Sequence, residues 1–321
     1  MRSRCRRIVR LALIALPIAC ILAISSVAVA SVHLDASMRS RHFITYYNSA
    51  HRLQAELLSD VAEDELARVS ANLGYTPDPD HPFPLKIYNS RSAFVSQEGI
   101  EGLKMTVGTT QAISETIAID ASGLFVLPRQ VISHEITHAV LFRMLGPTIV
   151  DLPLWFNEGL AQHESGAYGG ASDEQVANAA GDGTLLPLSS LSGAFPREQI
   201  DLAYAESSSA VRYLIDKHGP TSPRVLVEAL ARTGSIDKAM LVAAHMDGGA
   251  FDDAWYAHTT ARFWGIRMAR VVMAIFSAIM AVLAVAAFIV RRRRMAEAAR
   301  KWEEEQFEKA LRRQQGNDWS Y

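Results

Sequence analysis

The chain has 321 residues, of which 49% are hydrophobic, and its formal net charge is only −2. The charge is unevenly distributed, because residues 31–261 carry 15 basic and 28 acidic side chains, a balance of −13, and the remainder carries +11. Such an acidic region, without a basic patch, argues against nucleic acid as a partner. It is long enough to bury a sizeable core.

Two uncharged apolar segments bracket the acidic region. Leu11–Val32 has 22 residues and follows five arginines, and Val271–Val290 has 20 residues and precedes Arg291–Arg294. Each segment is long enough to cross a hydrocarbon core of about 30 Å. In each segment the arginines lie on the side that faces away from the acidic region. Because positively charged flanks favour the cytoplasmic side of a membrane, these arginines place both chain ends in the cytoplasm. Residues 33–261 are therefore expected to form an extracytoplasmic domain.

Residues 1–32 are expected to be either an N-terminal signal anchor or a removed signal peptide. Ala28-Val29-Ala30 matches a cleavage site, whereas the apolar run is longer than the 7–15 residues usual in a signal peptide. Both alternatives place the following domain on the same side of the membrane. The two cysteines of the chain, Cys5 and Cys20, lie in this segment. No disulfide is therefore expected in the domain.

The first part of the domain alternates between strand and helix patterns. Thr76–Pro84 contains four prolines and is predicted to be a loop. Strands are predicted at His42–Tyr47, Leu85–Tyr88, Met105–Thr110 and Thr116–Asp120, and helices at Ala50–Asn72 and Ser92–Gln97. These elements predict an α+β fold with a small sheet.

An H-E-x-x-H motif at residues 134–138 is the most informative feature of the sequence. It lies in the middle of a helix predicted over Arg129–Leu145. Because residues i and i+4 share one face of a helix, His134 and His138 can bind one zinc ion. Glu135 would then lie beside the metal, where it can take a proton from a zinc-bound water.

A catalytic zinc usually has a third protein ligand and one open position. Glu158 lies twenty residues after His138, in a second predicted helix over Pro153–Ser165. A short connection joins the two helices, so they are expected to pack as an antiparallel pair with Glu158 facing both histidines. His163 and Glu164, on the same helix, are weaker alternatives.

The H-E-x-x-H motif followed by W-F-N-E-G-L-A resembles the gluzincin metallopeptidases, and more closely the bacterial peptidase MA-like domains. The resemblance covers about residues 41–219. It implies a thermolysin-like fold, in which the zinc helix lies between a small mixed sheet lobe and a helical lobe. It also implies a peptidase with one Zn²⁺ per chain, bound by His134, His138 and Glu158, and with Glu135 as general base.

The resemblance implies three further roles. Tyr204 lies where related proteins carry a tyrosine, whose O–H can stabilise the oxyanion. Gln162 lies one turn after Glu158, where thermolysin-like enzymes often have a carboxylate that orients a ligating histidine. The strand before the zinc helix is an edge in gluzincins, to which substrate adds as a further strand. Here that strand is Thr116, Ile117, Ala118, Ile119 and Asp120, and an interior strand without a free edge is the alternative.

The C-terminal part of the domain is predicted to be helical. Gly166–Pro196 is rich in Gly, Ser and Ala, and is expected to be a loop that either covers the cleft or is a surface excursion. Helices predicted at Ile200–His218, Pro223–Thr233 and Ile236–Ala244 complete a helical lobe.

Beyond the domain, residues 262–290 are expected to form a transmembrane helix and residues 291–321 a cytoplasmic tail. Residues 295–315 predict a charged helix with Glu297→Lys301 and Glu305→Lys309 spaced i,i+4. This helix is either a solvated extension of the span or a docking segment for the inner leaflet or a cytoplasmic partner.

Together these features predict a membrane-anchored zinc peptidase that hydrolyses peptide bonds outside the cytoplasm, in a bacterial inner membrane. Its expected partners are peptide or protein substrates and the lipid bilayer. An endopeptidase is favoured, because no G-x-M-E-N motif for a free amine precedes the zinc helix. The alternative is a catalytically inactive, zinc-stabilised binding or scaffold domain at the cell envelope, but such a structural site has no need for Glu135.

Overall fold

The computed structural model describes residues 34–99, 108–111, 114–123, 128–167 and 169–316. The predictions for residues 1–32, for the first part of the Met105–Thr110 strand and for the last five residues of the tail lie outside these ranges. The chain divides into two compact units. One comprises the chain up to Asp173 together with Leu186–Asp252, and the other comprises Glu174–Leu185 and the chain from Asp253 onwards.

The first unit contains a five-stranded mixed sheet, so the predicted α/β mixture is confirmed. Its strands are β1 (Ala36–Arg39), β2 (Phe43–Tyr47), β3 (Phe83–Tyr88), β4 (Gly108–Gln111) and β5 (Thr116–Asp120). Their order in the sheet is β1-β2-β3-β5-β4. β2, β3 and β5 run parallel, and the outer strands β1 and β4 are antiparallel to their neighbours.

Of the two alternatives for Thr116–Asp120, the free edge is wrong and the interior strand is confirmed. Ile117 pairs with Leu85 of β3 on one side and with Thr110 of β4 on the other. The physical reason is visible in the composition, because Ile117, Ala118 and Ile119 form a continuous buried apolar run, which is typical of an interior strand. The polar strand β4, with the sequence G-T-T-Q, is the last strand on that side of the described sheet.

Three helices cover the sheet. They are α1 (Arg52–Leu73), α2 (Arg91–Glu98) and α3 (Pro128–Leu145). α1 buries the stripe Ala55, Leu58, Ala62, Leu66, Val69 and Leu73, and it contacts both β2 and α3. α3 carries the H-E-x-x-H motif and also contacts β4 and β5. The helix that carries the motif therefore packs against β5 and β4, the last two strands on one side of the sheet.

The helical part of the first unit follows α3. A 3₁₀ turn at Gly146–Asp151 leads into α4 (Leu154–Ser165), and the later helices of this unit are α6 (Ile200–His218), α7 (Ser222–Thr233) and α8 (Ile236–Ala244). The intervening α5 (Gly170–Asp182) lies in the segment that was expected to be a loop. Its central residues, mostly Ala, Glu and Gln, are good helix formers, and they outweigh the glycines near its two ends.

The last helix, α9, is continuous over Gly248–Gly316. Within the part of the chain that the structure describes, it is the one helix long and apolar enough to cross a membrane, as judged by length and composition. The most apolar stretch of this helix contains no buried residue. The predicted span 262–290 and the predicted tail helix 295–315 are thus parts of a single helix.

Candidate metal centre

Three side chains from α3 and α4 converge on one point. His134 Nε2 lies 3.1 Å from His138 Nε2. Glu158 Oε2 lies 3.5 Å from His134 Nε2 and 3.8 Å from His138 Nε2. Adjacent ligand atoms of a tetrahedral zinc site with bonds of about 2.0–2.1 Å are separated by about 3.4 Å. The three donor atoms therefore form a triangle that matches one face of a zinc coordination tetrahedron.

The close packing of α4 against α6 fixes the position of α4, and therefore of Glu158. A Cβ atom added to the adjacent Gly159 would lie 2.3 Å from the carbonyl oxygen of Ser207 in α6. Real Cβ atoms do not approach so closely, so only glycine allows this distance between the two helices. The E-G pair in the sequence thus combines a candidate metal ligand with the contact that fixes the position of its helix.

The Asn157 side chain orients one of the two histidines. Its Oδ1 lies 2.9 Å from Nδ1 of His138 and accepts the N–H of that ring nitrogen. Nε2 of His138 is then left with a free lone pair, as metal binding requires. The predicted orienting residue, Gln162, forms no hydrogen bond with either histidine among the described residues. Asn157 was missed although it directly precedes Glu158 in the sequence.

Glu135 lies beside the triangle and is 6% exposed. Burial raises the pKa of Glu135 to about 7, although His138 and the Thr110 hydroxyl lower it, and Glu158 raises it further. The Thr110 Oγ1 atom lies 2.7 Å from Glu135 Oε2. A carboxylate with a pKa near neutrality can both accept and release a proton at physiological pH.

The pKa values of the other two titratable groups of the centre, Glu158 and Tyr204, are shifted in opposite directions. Burial works to raise the pKa of Glu158, but the neighbouring His138 and His134 outweigh it, so the pKa is lowered and the carboxylate is ionised. The pKa of the Tyr204 hydroxyl is raised, first by burial and then by the charges of Glu158 and Glu135. Tyr204 therefore keeps its proton and is a hydrogen-bond donor.

These groups line a single cavity of about 190 Å³. Its lining residues are Gly108, Thr109, Thr110, His134, Glu135, His138, Phe142, Asn157, Glu158 and Tyr204. The cavity brings together the five predicted residues His134, Glu135, His138, Glu158 and Tyr204. Gln162 and the strand Thr116–Asp120 are not part of the lining. The lining strand is instead β4, whose short polar sequence gave no functional signal.

The chain was compared with known protein families and curated proteins. The family model described as the Peptidase MA superfamily matches residues 61–261, which is more than half of the chain and includes every lining residue of the cavity. No curated protein matches the chain.

Proposed function

Because the chain belongs to the Peptidase MA superfamily, we propose that it is a zinc-dependent peptidase of the gluzincin type, whose active site is this cavity. The observation that carries the proposal is the convergence of His134, His138 and Glu158 beside the buried carboxylate of Glu135. The family implies peptides or proteins as substrates.

The donor set fits zinc. Two imidazole nitrogens and one carboxylate oxygen are ligands typical of catalytic zinc sites, which keep a fourth position open. When bound there, zinc supplies a Lewis acid that polarises the scissile carbonyl and acidifies a water molecule. Glu158 is ionised and Asn157 holds His138 in the tautomer that exposes Nε2. The chain thus presents donors in the protonation states that metal binding needs.

We assign Glu135 as the general base. Its carboxylate accepts a proton from the attacking water and later delivers that proton to the nitrogen of the departing amine. A pKa of about 7 suits both steps near neutral pH. Tyr204 lies in the same cavity with its hydroxyl protonated, and we assign it as the donor to the oxyanion that forms as water adds to the carbonyl.

The substrate is expected to bind to β4 rather than to Thr116–Asp120. β4 is the last described strand on its side of the sheet, and its residues Gly108, Thr109 and Thr110 line the cavity. An extended peptide that adds to this edge would be held by main-chain hydrogen bonds, with limited demand on its sequence. Such a mode of binding suits an endopeptidase.

The arrangement around α3 supports a thermolysin-like organisation. α3 contacts α1, β4 and β5 of the sheet lobe, and it contacts α4 and α7 of the helical lobe. The zinc helix would then lie between the two lobes, as the family resemblance implies.

We further propose that the peptidase is anchored in a bacterial inner membrane. The exposed apolar stretch of α9 supports one span at residues 262–290. The arginines at both ends of the chain support a cytoplasmic tail at 291–321 and an extracytoplasmic domain at 33–261. Residues 1–32 would be a signal anchor or a signal peptide, and residues 295–315 are the candidate contact for a cytoplasmic or membrane partner.

The test combines metal content with turnover. The full-length chain in detergent is expected to bind one zinc ion and to cleave members of a mixed peptide library, with products identified by mass spectrometry. Glu135→Gln should keep the zinc but lose activity by at least about 100-fold, because a general base typically contributes 10²–10⁴-fold. Glu228→Gln, a change at a partly exposed position of α7 that pairs with Arg224 outside the cavity, is the matched control.

Two outcomes would contradict the proposal. If Glu135→Gln cleaves the library as fast as the wild type, the assignment of the base is wrong. If the wild type binds zinc but cleaves no peptide, the inactive scaffold is the better description.

A further inference from the structure

The edge strand β4 contacts the general base through a threonine hydroxyl. Thr110 Oγ1 lies 2.7 Å from Glu135 Oε2 and 3.0 Å from the main-chain oxygen of the same residue. A hydroxyl has one proton to donate, and an ionised carboxylate has only acceptors. Of its two acceptors, Oε2 is the nearer and, when Glu135 is ready to act as a base, the charged one, so Thr110 donates to Oε2. This contact fixes the direction in which the carboxylate points.

A second residue of β4 contacts the same side chain two positions earlier. A Cβ atom added to Gly108 would lie 2.7 Å from Glu135 Oε1 and 2.8 Å from its Cγ. These distances are shorter than real Cβ contacts, so Glu135 lies directly against the backbone of the strand. Any side chain at position 108 would displace the base.

The two contacts come from one face of one strand. Side chains alternate along a strand, so positions 108 and 110 share a face. The strand is itself fixed by pairing, since Gly108 pairs with Ile119 and Thr110 with Ile117 in the buried strand β5. Oε2 of Glu135 is thus held by a hydrogen bond, and Oε1 is held by packing against a backbone that cannot easily shift.

We propose that Thr110 is a positioning residue for the general base, and that Gly108 provides the space this position requires. The inference rests on the proposed function, because it assumes that Glu135 is the base. It adds that the strand expected to pair with the substrate also orients the base. The base and the scissile bond would therefore be aligned against the same backbone, and misplacing a reacting group by about 1 Å can reduce the rate about 100-fold.

The first test separates kcat from KM. The probe is a fluorogenic peptide derived from the cleavage products of the library, and the protein is the full-length chain loaded with zinc. Thr110→Val removes the hydroxyl but keeps the shape of the side chain, and it should lower kcat by about 10-fold or more with KM and zinc content unchanged. Thr110→Ser restores the hydroxyl and should recover most of kcat.

Matched controls separate this role from a general loss of packing. Thr148 also donates to a main-chain oxygen, that of Leu145 at 2.7 Å, but lies outside the cavity. Thr148→Val should keep the wild-type kcat. Gly108→Ala should lower kcat more than Thr110→Val does, whereas Gly193→Ala should have no effect, because nothing lies within 4 Å of a Cβ there. Equal kcat values for Thr110→Val and the wild type would overturn the inference.

A second readout does not need turnover. Acetohydroxamate binds zinc through oxygen, and its proton can be accepted by a correctly placed carboxylate. Calorimetry should therefore show about 10-fold weaker acetohydroxamate binding to zinc-loaded Thr110→Val than to the wild type, and recovery in Thr110→Ser. If Thr110→Val binds acetohydroxamate more weakly than the wild type does, but the wild type cleaves no peptide, the peptidase function is refuted and the positioning role stands. Equal affinity in all three proteins, or no binding to the wild type, overturns the positioning role itself.

Discussion

Two carboxylates on α4, Glu164 and Glu158, differ in the groups that stabilise their negative charge. Glu164, near the end of the helix, is buried and lies 2.8 Å from Arg68 Nη1 and 2.8 Å from Asn72 Nδ2. Arg68 also lies 2.9 Å from the buried Glu65. Glu158, six residues earlier, faces His134 and His138 instead. Among the described residues, no lysine or arginine forms an ion pair with it.

The difference shows where compensation for a buried carboxylate comes from. An ionised carboxylate taken out of water is strongly unfavourable unless it is paired. At Glu164 the chain itself supplies the cation, so the region is complete without a ligand. At Glu158 the neighbouring groups are His134 and His138, which lower its pKa. Imidazoles that bind a metal are neutral, so in the proposed site a bound cation would supply the positive charge. A largely buried carboxylate whose charged partners are histidines, with no lysine or arginine, is thus a better sign of a metal site than acidity alone.

A further buried carboxylate, Glu206 on α6, extends the comparison. It is 0% exposed, and the Leu186 main-chain N–H donates to both of its oxygens, at 3.0 and 3.3 Å. No basic side chain of the described residues pairs with it. Burial raises the pKa of Glu206 to about 8, against the effect of the Leu186 N–H and with a further increase from Asp252. Glu206 is therefore compensated by a proton rather than by a cation.

The largest expected effect on stability comes from removing the positive charge of Arg68. Arg68→Met should destabilise the protein by about 3 kcal/mol, because it leaves two buried carboxylates, Glu65 and Glu164, without that partner. It also removes the hydrogen bond to Ser133 Oγ at 2.7 Å. Chemical unfolding of the full-length chain in detergent, followed by intrinsic fluorescence, measures the loss.

The matched control for Arg68 is Arg52→Met. Arg52 pairs with Glu56 at 2.8 Å on the exposed surface of α1, and such a pair is worth less than about 0.5 kcal/mol. If the two variants unfold at the same denaturant concentration, the arginine does not compensate the buried acids as we describe.

For Glu158 we expect a small change in stability and a large change in zinc affinity. Glu158→Gln removes a carboxylate whose charged partners are His134 and His138 and not a lysine or arginine, so the metal-free protein should lose less stability than Arg68→Met loses, about 1 kcal/mol or less. Zinc affinity should fall about 100-fold, since structural zinc binding of about 10–16 kcal/mol shared among four ligands gives roughly 3 kcal/mol for each. Competition with a chromophoric chelator measures the affinity.

Glu228→Gln should leave zinc affinity unchanged, because Glu228 is outside the cavity. A Glu158→Gln protein with wild-type zinc affinity would remove Glu158 from the ligand set. A large loss of stability without metal would mean that Glu158 is compensated from within the chain, like Glu164.

The sequence predicted the parts of the centre that local geometry determines. The i,i+4 spacing of His134 and His138 fixes their relation on any helix, and a short connection leaves few ways to arrange the following helix. The choice between Asn157 and Gln162 as partner of His138 depends on the rotation of α4 about its axis. That rotation is set by the contact of Gly159 with α6, a helix some forty residues further along the chain, so spacing alone could not reveal it.

The sheet shows a different limit. Strands β2, β3 and β5 are predicted from their patterns, but the similarity to gluzincins suggests Thr116–Asp120 as the edge and leaves an interior strand as the alternative. The evidence against that assignment was already present in the apolar run of β5 and the polar sequence of β4. The roles of Gly108 and Thr110 could not be predicted, because they depend on which strand lies beside α3, and neither residue type is unusual in a strand next to a turn.

The last test concerns Glu206, the carboxylate that holds a proton. The folded pKa of Glu206, about 8, is above its ordinary value of 4.5, so the folded protein binds more protons between these pH values and loses stability as pH rises through that window. Glu206→Gln has no such group, so relative to the wild type it should gain at least about 1 kcal/mol between pH 5 and pH 8.5. Denaturant unfolding at both pH values, with a chelator present to exclude metal effects, measures this gain, and Glu228→Gln should show none. If the difference between Glu206→Gln and the wild type is the same at both pH values, Glu206 is ionised in the folded protein and a cation must compensate it after all.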